Sequence, residues 1–345
     1  MSPGDDRRLV LVVGVGRSGT SLLTGILGQL GFHVPQPEVK ADDTNPRGFS
    51  EPRWAVDFHT RLLRARRVTV NDARPLAWEK TATAAEDAAV YGELSAWLGE
   101  QMREADAVVV KDPRTGWFLP LWTRGAAELG VEARYVTMLR HPAEIIASAT
   151  KSYGEWQSPA SRAAAWINIT LETERATRGS RRAFVRYEDL LTGWHGEVTR
   201  VGTLLDVPAL AQVDPERAAA VDAFVDPTLH RNRVGWDELD VPPRVVRMVE
   251  DVWAAVAPLA GPGGDTPEAR ARLDAAAAAY RGFYDEVEAI AYSSIAAARP
   301  RRGRPAAGAP KPEHAPAPPL RVRLARRVPA SYRRRVRRAL RALQR

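Results

Sequence analysis

The chain has 345 residues, 45% of them hydrophobic, enough to bury one large α/β core or two modest ones. It has no cysteine and six scattered histidines without metal-ligand spacing, which excludes a disulfide framework, a thiolate nucleophile and cysteine-ligated zinc, and argues against a catalytic metal. The net charge of +8 is unevenly spread: residues 301–345 hold 15 Lys/Arg and one Glu, so the first 300 residues carry 35 basic against 41 acidic side chains.

In chain order, Leu9–Gly16 is an apolar run of eight residues with two glycines. It is too short for a membrane span and follows acidic residues, so a cytoplasmic body is expected. It reads as a buried strand feeding the turn Gly14-Val-Gly-Arg-Ser-Gly-Thr-Ser21. Leu22, Leu23, Ile26, Leu27 and Leu30 then repeat at helical spacing, and Gly31 is placed to end that helix. Val34–Pro52, with Pro35, Pro37, Pro46 and Gly48, reads as a long loop of the kind that often carries function. Helical patterning resumes over Trp54–Arg67 and Ala84–Glu104.

A second strand, Ala107–Lys111, is closed by Pro113; a third lies in Arg134–Pro142, followed by a helix from Ala143 to Thr150; a fourth is Arg182–Tyr187. Helices then continue to about Ala298, interrupted at Pro208, Pro215 and Pro227. The expected layout is a catalytic domain over residues 1–298, a Pro/Ala-rich linker over 299–319 and a basic amphipathic tail over 320–345. Strands alternating with helices predict an α/β, three-layer, P-loop-like fold with a central, mostly parallel sheet. Ligands then bind beyond the carboxyl ends of the strands, the edge where Gly14–Thr20, Lys111–Arg114 and Arg140–Pro142 fall.

The opening turn has the makings of an anion site: backbone N–H groups over Arg17–Ser21, a helix N-terminus and two hydroxyls. It departs from the nucleotide-hydrolysing pattern G-x-x-x-x-G-K-S/T, because Thr20 stands where the lysine belongs and Arg17 lies inside the turn. That lysine holds the β/γ-phosphates, so its absence counts against ATP or GTP hydrolysis.

Gly16-Arg-Ser-Gly-Thr-Ser21 resembles the 5′-phosphosulfate loop, K/R-S-G-T-S/T, of sulfotransferases that use 3′-phosphoadenosine 5′-phosphosulfate (PAPS). Arg140-His-Pro-Ala-Glu-Ile-Ile-Ala-Ser148 is similar to that family's second signature, an Arg and a Ser eight residues apart that hold the 3′-phosphate. Two looser segments extend the resemblance: Arg186-Tyr-Glu-Asp-Leu190 is similar to the Y-E-D-L segment of bacterial members, and His230-Arg-Asn-Arg233 to a basic segment that closes over the nucleotide. The resemblance covers roughly residues 8–290. It implies PAPS as co-substrate, with Arg17, Ser18, Gly19, Thr20, Ser21, Arg140, Ser148, Tyr187, Arg231 and Arg233 binding it and no metal required. In the family a lysine at a comparable strand end approaches the sulfonate, the place Lys111 would take. Arg17 would stay charged against the leaving 5′-phosphate throughout.

The acceptor must lose a proton, so a base should project from the loop beyond the first helix. Glu38, Glu51, Asp57 and His59 lie there. Asn45-Pro-Arg-Gly-Phe-Ser-Glu51 resembles the N-P-K/R-G-Y/F-x-E segment of a bacterial subfamily, which puts Glu51 first and Glu38, 21 residues past Arg17, second. The histidine that cytosolic animal enzymes place after the second strand's lysine is missing from Lys111-Asp-Pro-Arg114. Ten tryptophans, among them Trp54, Trp78, Trp117 and Trp156 near the expected cleft, lean faintly toward a carbohydrate or glycosylated acceptor; the expected acceptor is a hydroxyl, or an amine, of a carbohydrate, glycolipid or small metabolite.

The tail interleaves Arg with Leu324, Val328, Tyr332, Val336 and Leu340. That pattern suits an amphipathic helix on the anionic inner face of a membrane, each nearby basic residue adding about 1 kcal/mol. Nucleic-acid binding and a disordered solubilising extension are the competing readings. Two rival functions remain open at this point: a metal-dependent P-loop kinase, and a membrane- or nucleic-acid-binding protein whose phosphate loop is vestigial.

Overall fold

The computed structural model describes residues 7–42, 45, 48–154, 156–226, 228 and 234–298. The chain falls into two units, Met1–Ile290 and Ala291–Arg345. In the first, four strands, β1 (Arg8–Val13), β2 (Ala107–Lys111), β3 (Ala133–Leu139) and β4 (Arg182–Arg186), form one parallel sheet in the order β2-β1-β3-β4. All four are apolar runs buried on both faces, as a parallel sheet covered by helices requires. Along β1, Leu9, Leu11 and Val13 enter one core while Val10 and Val12 enter the other, the two-residue alternation of a pleated strand.

One face of the sheet is covered by α1 (Thr20–Gln29), α8 (Tyr187–Leu205), α9 (Pro208–Ala211) and α10 (Pro215–Phe224). The other is covered by α2 (Arg53–Arg66), α3 (Ala77–Ala82), α4 (Ala88–Glu104), α5 (Leu119–Glu128), α6 (Pro142–Tyr153), α7 (Pro159–Ala176), α11 (Pro243–Val256) and α12 (Pro267–Ile290). In the second unit the described residues form a short helix, α13 (Tyr292–Ala298). The linker over 299–319 and the tail over 320–345 lie outside the described residues. No helix among the described residues is long and apolar enough to cross a membrane.

Several elements differ from the sequence expectation. The helix expected from Ala84 begins at Ala88, because Asp87 caps it by accepting from the Ala89 and Val90 amides. Helices α5 and α7 were not anticipated, although Ser158 followed by Pro159 is a helix start: the Ser158 side chain accepts from Ser161 N–H, and Pro159 fills the first position. The fourth strand ends at Arg186, and Tyr187 opens α8 instead.

The strand order fixes where a ligand can enter. From β1 the chain crosses to β2 on one side; from β3 it crosses to β4 on the other. The connections therefore diverge between the carboxyl ends of β1 and β3, leaving a crevice there. Register pairs Val13 with Thr137 and Val12 with Lys111, so the residues following these strands line that crevice side by side.

Candidate functional site

The turn after β1 is built on unusual backbone angles. Gly14, Arg17 and Gly19 have φ of 136°, 75° and 94°. At Gly14 a Cβ would stand 2.7 Å from the Met138 carbonyl oxygen, so glycine lets β1 and β3 stay close where the turn leaves the sheet. Gly19 precedes α1, and no side chain caps that helix. The N–H groups of Thr20 and Ser21 therefore have no intrahelical acceptor and lie at the positive end of the helix dipole.

Arg17 adopts a left-handed conformation that only the surrounding turn can hold. Its Nε donates to Ser148 Oγ at 3.1 Å, and its carbonyl oxygen accepts from Arg140 Nη1 at 3.3 Å. The two signatures, 131 residues apart in sequence for Arg17 and Ser148, thus meet directly. Arg140 is further oriented by Glu144, one helical turn on, at 2.8 Å. Its guanidinium carbon lies 4.6 Å from the centre of the Tyr187 ring. That ring packs on Gly19 so closely that a Cβ would stand 2.3 Å from Tyr187 Cδ2.

Tyr187 is thus largely buried and supports both motifs from beneath. Ser18 also supports: its hydroxyl is fully buried beside Gly14 with no hydrogen-bond partner, and its amide donates to the Val15 carbonyl at 3.1 Å. Arg231 and Arg233 lie outside the described residues.

Lys111, at the end of β2, joins the turn to the long loop. Its ammonium donates to Ser21 Oγ at 3.1 Å, to the Phe49 carbonyl at 3.0 Å and to Glu51 Oε1 at 2.6 Å. Asn45 also reaches the turn, donating from Nδ2 to Ser21 Oγ at 3.3 Å and to the Gly48 carbonyl. Gly48 and Ser50 have φ of 87° and 50°, a bent backbone that aims the Phe49 carbonyl and the Glu51 carboxylate at one ammonium. Burial pushes the Glu51 carboxyl above the ordinary carboxylate range, with the Lys111 charge opposing, and burial pushes the Lys111 ammonium below the usual lysine range.

The other residues proposed as the base are placed differently. Glu38 is partly exposed and accepts from Gln36 at 2.8 Å, while its strand-like stretch pairs with Pro52 beside Glu51. Asp57 is exposed and paired with Arg53 one helical turn away. His59 is fully buried, with Nδ1 2.7 Å from Asp112 Oδ2 and Nε2 2.9 Å from Trp122 Nε1. An indole N–H can only donate, so Nε2 accepts and Nδ1 carries the proton. With both nitrogens occupied and no solvent contact, His59 cannot collect a proton from a substrate.

Asp112 was missed by the sequence reading beyond its place after Lys111. It bonds His59 with one oxygen and Arg114 Nη1 with the other, at 2.6 Å. Burial alone would raise its carboxyl, but the His59 hydrogen bond and the nearby Arg114 charge hold it below the ordinary range. Of the tryptophans, Trp117 and Trp78 stack in the core, Trp54 stacks between Phe58 and Trp97, and Trp156 is exposed. Among the described residues no group of three or more His, Asp or Glu is placed to hold a metal ion.

Among solved structures, the sulfotransferase domain of the olefin synthase of Synechococcus PCC 7002 is 19% identical, covering 72% of this chain and 96% of that domain at a TM-score of 0.40. The sulfotransferase domain from the curacin biosynthetic pathway is 17% identical, covering 71% and 98% at a TM-score of 0.39. No significant match is found among curated proteins. The profile described as the sulfotransferase family matches residues 10–211, a span that takes in the uncapped turn, Glu51, Lys111, the Arg140–Ser148 pair and Tyr187. A glycine turn without a lysine, bonded to an Arg and a Ser from a later strand and helix, is thus embedded in a family match over more than half of the chain, which belongs to the sulfotransferase family.

Proposed function

We propose that the chain transfers a sulfonate group from PAPS to the hydroxyl, or less readily the amine, of a glycan, glycolipid or small metabolite. The observation that carries this reading is Lys111, whose ammonium bonds both the phosphate turn, at Ser21, and the buried carboxylate of Glu51. A cation between an anion cradle and a general base is what an in-line transfer to a hydroxyl needs.

The residues present fit such a donor. The uncapped N-terminus of α1 offers the Thr20 and Ser21 amides, Arg17 brings a fixed charge to the same end, and Arg140 with Ser148 supplies a guanidinium and a hydroxyl beside it. Bound there, the donor would supply a sulfonate whose S–O bond to the 5′-phosphate breaks as the acceptor O–S bond forms. Glu51 takes the acceptor proton on a carboxylate oxygen, and its raised proton affinity brings it nearer the working pH. Lys111 holds Glu51 in place and, with Arg17, offsets the negative charge that grows at the turn.

The test is thermal stabilisation and radiolabel transfer with the purified chain. Adenosine 3′,5′-bisphosphate should stabilise it without Mg²⁺, and Arg17→Ala and Arg140→Ala should abolish that stabilisation. Stabilisation by ATP with Mg²⁺ alone would instead indicate a kinase. The basic tail makes a second, separable proposal, peripheral contact with anionic lipid on the cytoplasmic face. It is tested by co-sedimentation of the full chain, and of a chain ending at 298, with phosphatidylserine vesicles.

A further inference from the structure

Beside the turn, between β3 and α7, lies a narrow cavity of about 10 Å³, close to the least that one water molecule needs. Gly14 and Val15 of the turn form one wall, and β3 and α7 form others. Along β3, Tyr135 and Leu139 enter the core that α7 covers while Val136 and Met138 enter the other, so strand alternation sends the Thr137 side chain toward α7. Trp166, Thr170 and Thr173, at helical spacing on one face of α7, meet it there.

Two hydroxyls in these walls have no hydrogen-bond partner among the described residues: Thr137 Oγ1, on a residue 4% exposed, and Thr173 Oγ1, on a residue 1% exposed. Neither is paired by the backbone around it. Thr137 stands in the ladder between Val13 and Phe184, where strand N–H and C=O groups serve each other. Thr24, Thr150 and Thr177 each donate to the carbonyl four residues back, whereas the Thr173 hydroxyl does not. Gly116 also adjoins Thr173: a Cβ there would stand 3.3 Å from Oγ1, so that neighbour brings no side chain to pair with it. An unpaired buried hydroxyl destabilises the fold, and protein interiors offset this with an ordered water where the space is polar and large enough.

We propose that this cavity is a binding site for one structural water, which accepts from one threonine hydroxyl, donates to the other and so bridges β3 to α7. Thr170, one turn before Thr173, adds a third hydroxyl-bearing residue to the wall. The bridge steadies, from behind, the strand whose end carries Arg140, three residues after Thr137. It is independent of which group the chain transfers.

A crystal structure of the full chain, at a resolution that shows ordered water, tests the site directly. One water within hydrogen-bond distance of both Oγ1 atoms is expected; an empty cavity, or either hydroxyl paired with a protein group instead, overturns the proposal. Calorimetric melting adds an independent sign. Thr and Val differ by a hydroxyl for a methyl, so in a dry cavity Thr137→Val or Thr173→Val removes an unpaired hydroxyl and raises the melting temperature. With the water in place each single variant takes a partner from it, and a fall of about 2–6 °C is expected. The double variant Thr137→Val/Thr173→Val releases the water, so its fall should be smaller than the sum of the two. Single variants that melt at or above the unaltered chain, or a double variant whose fall equals or exceeds that sum, overturn the assignment.

Discussion

Replacing Lys111 by methionine should separate stability from chemistry. The ammonium is 2% exposed and has three donor protons, matched by Ser21 Oγ, the Phe49 carbonyl and Glu51 Oε1. Methionine fills much of the same volume but leaves the Glu51 carboxylate, 8% exposed, without a counter-charge. Breaking a buried pair from one side costs about 3–5 kcal/mol, since the remaining charge stays desolvated. For a body of this size each kcal/mol moves the melting temperature by roughly 2–4 °C, so a drop on the order of 10 °C is expected. Glu51→Gln alone should also destabilise, because it strands the ammonium. The double variant Lys111→Met/Glu51→Gln removes both charges and should recover much of the loss, as contacting residues are not additive. Turnover behaves differently: each single variant should lose roughly 10²–10⁴-fold in kcat, and the double should recover none of it. Calorimetric melting with a PAPS turnover assay reads both quantities. The reasoning is refuted if Lys111→Met melts within about 2 °C of the unaltered chain, or if Glu51→Gln keeps turnover within a few-fold.

The pH dependence follows from the same pair. As pH falls through the raised Glu51 value the base is protonated and kcat/KM falls; as pH rises through the lowered Lys111 value the cation is lost and the rate falls again. A bell is expected whose acid limb lies above the ordinary carboxylate range, and Glu51→Gln should remove that limb. Gly19→Ala should lower both melting temperature and affinity for adenosine 3′,5′-bisphosphate, the latter roughly 10-fold, because φ is 94° and the new Cβ would stand 2.3 Å from a Tyr187 ring that supports Arg140. Calorimetric titration checks it; unchanged affinity would detach Tyr187 from the site. His59→Phe should destabilise by about 2–4 kcal/mol, since it leaves one buried Asp112 oxygen and the Trp122 indole N–H without partners, yet should reduce kcat far less than Glu51→Gln. Denaturant melts and turnover, measured together, distinguish such a positioning residue from the base.

Much of the sheet was legible because each strand is a short apolar run ended by Gly, Pro or charge, and the ends of those runs name the crevice. The turn was legible because backbone angles such as those at Gly14 and Gly19 demand glycine at fixed spacing. Helices α5 and α7 were less visible: buried positions such as Trp122 and Trp166 lie among Ala, Thr and Arg, so the apolar period is faint. The meeting of Arg17 with Ser148, and of Lys111 with Glu51 and Phe49, is long-range geometry that no local spacing encodes.

His59 shows how residue type misleads without burial. By type and position it could serve as the base, yet it spends both nitrogens inside the core. Its role follows from what it holds. Trp122 orients His59, His59 holds one oxygen of Asp112, and the other oxygen holds Arg114 at the rim. Asp112 is adjacent to Lys111, so the end of one strand sends a cation to Glu51 at one residue and braces a second cation three residues later. The alternation of a strand end makes this possible: neighbouring side chains leave the backbone on opposite sides, and the Asp-Pro turn then brings Arg114 back toward Asp112. A neutral, buried imidazole suits such a brace, because its Nδ1–H can steady a carboxylate without bringing a charge into the core, leaving the Asp112 charge for Arg114 alone.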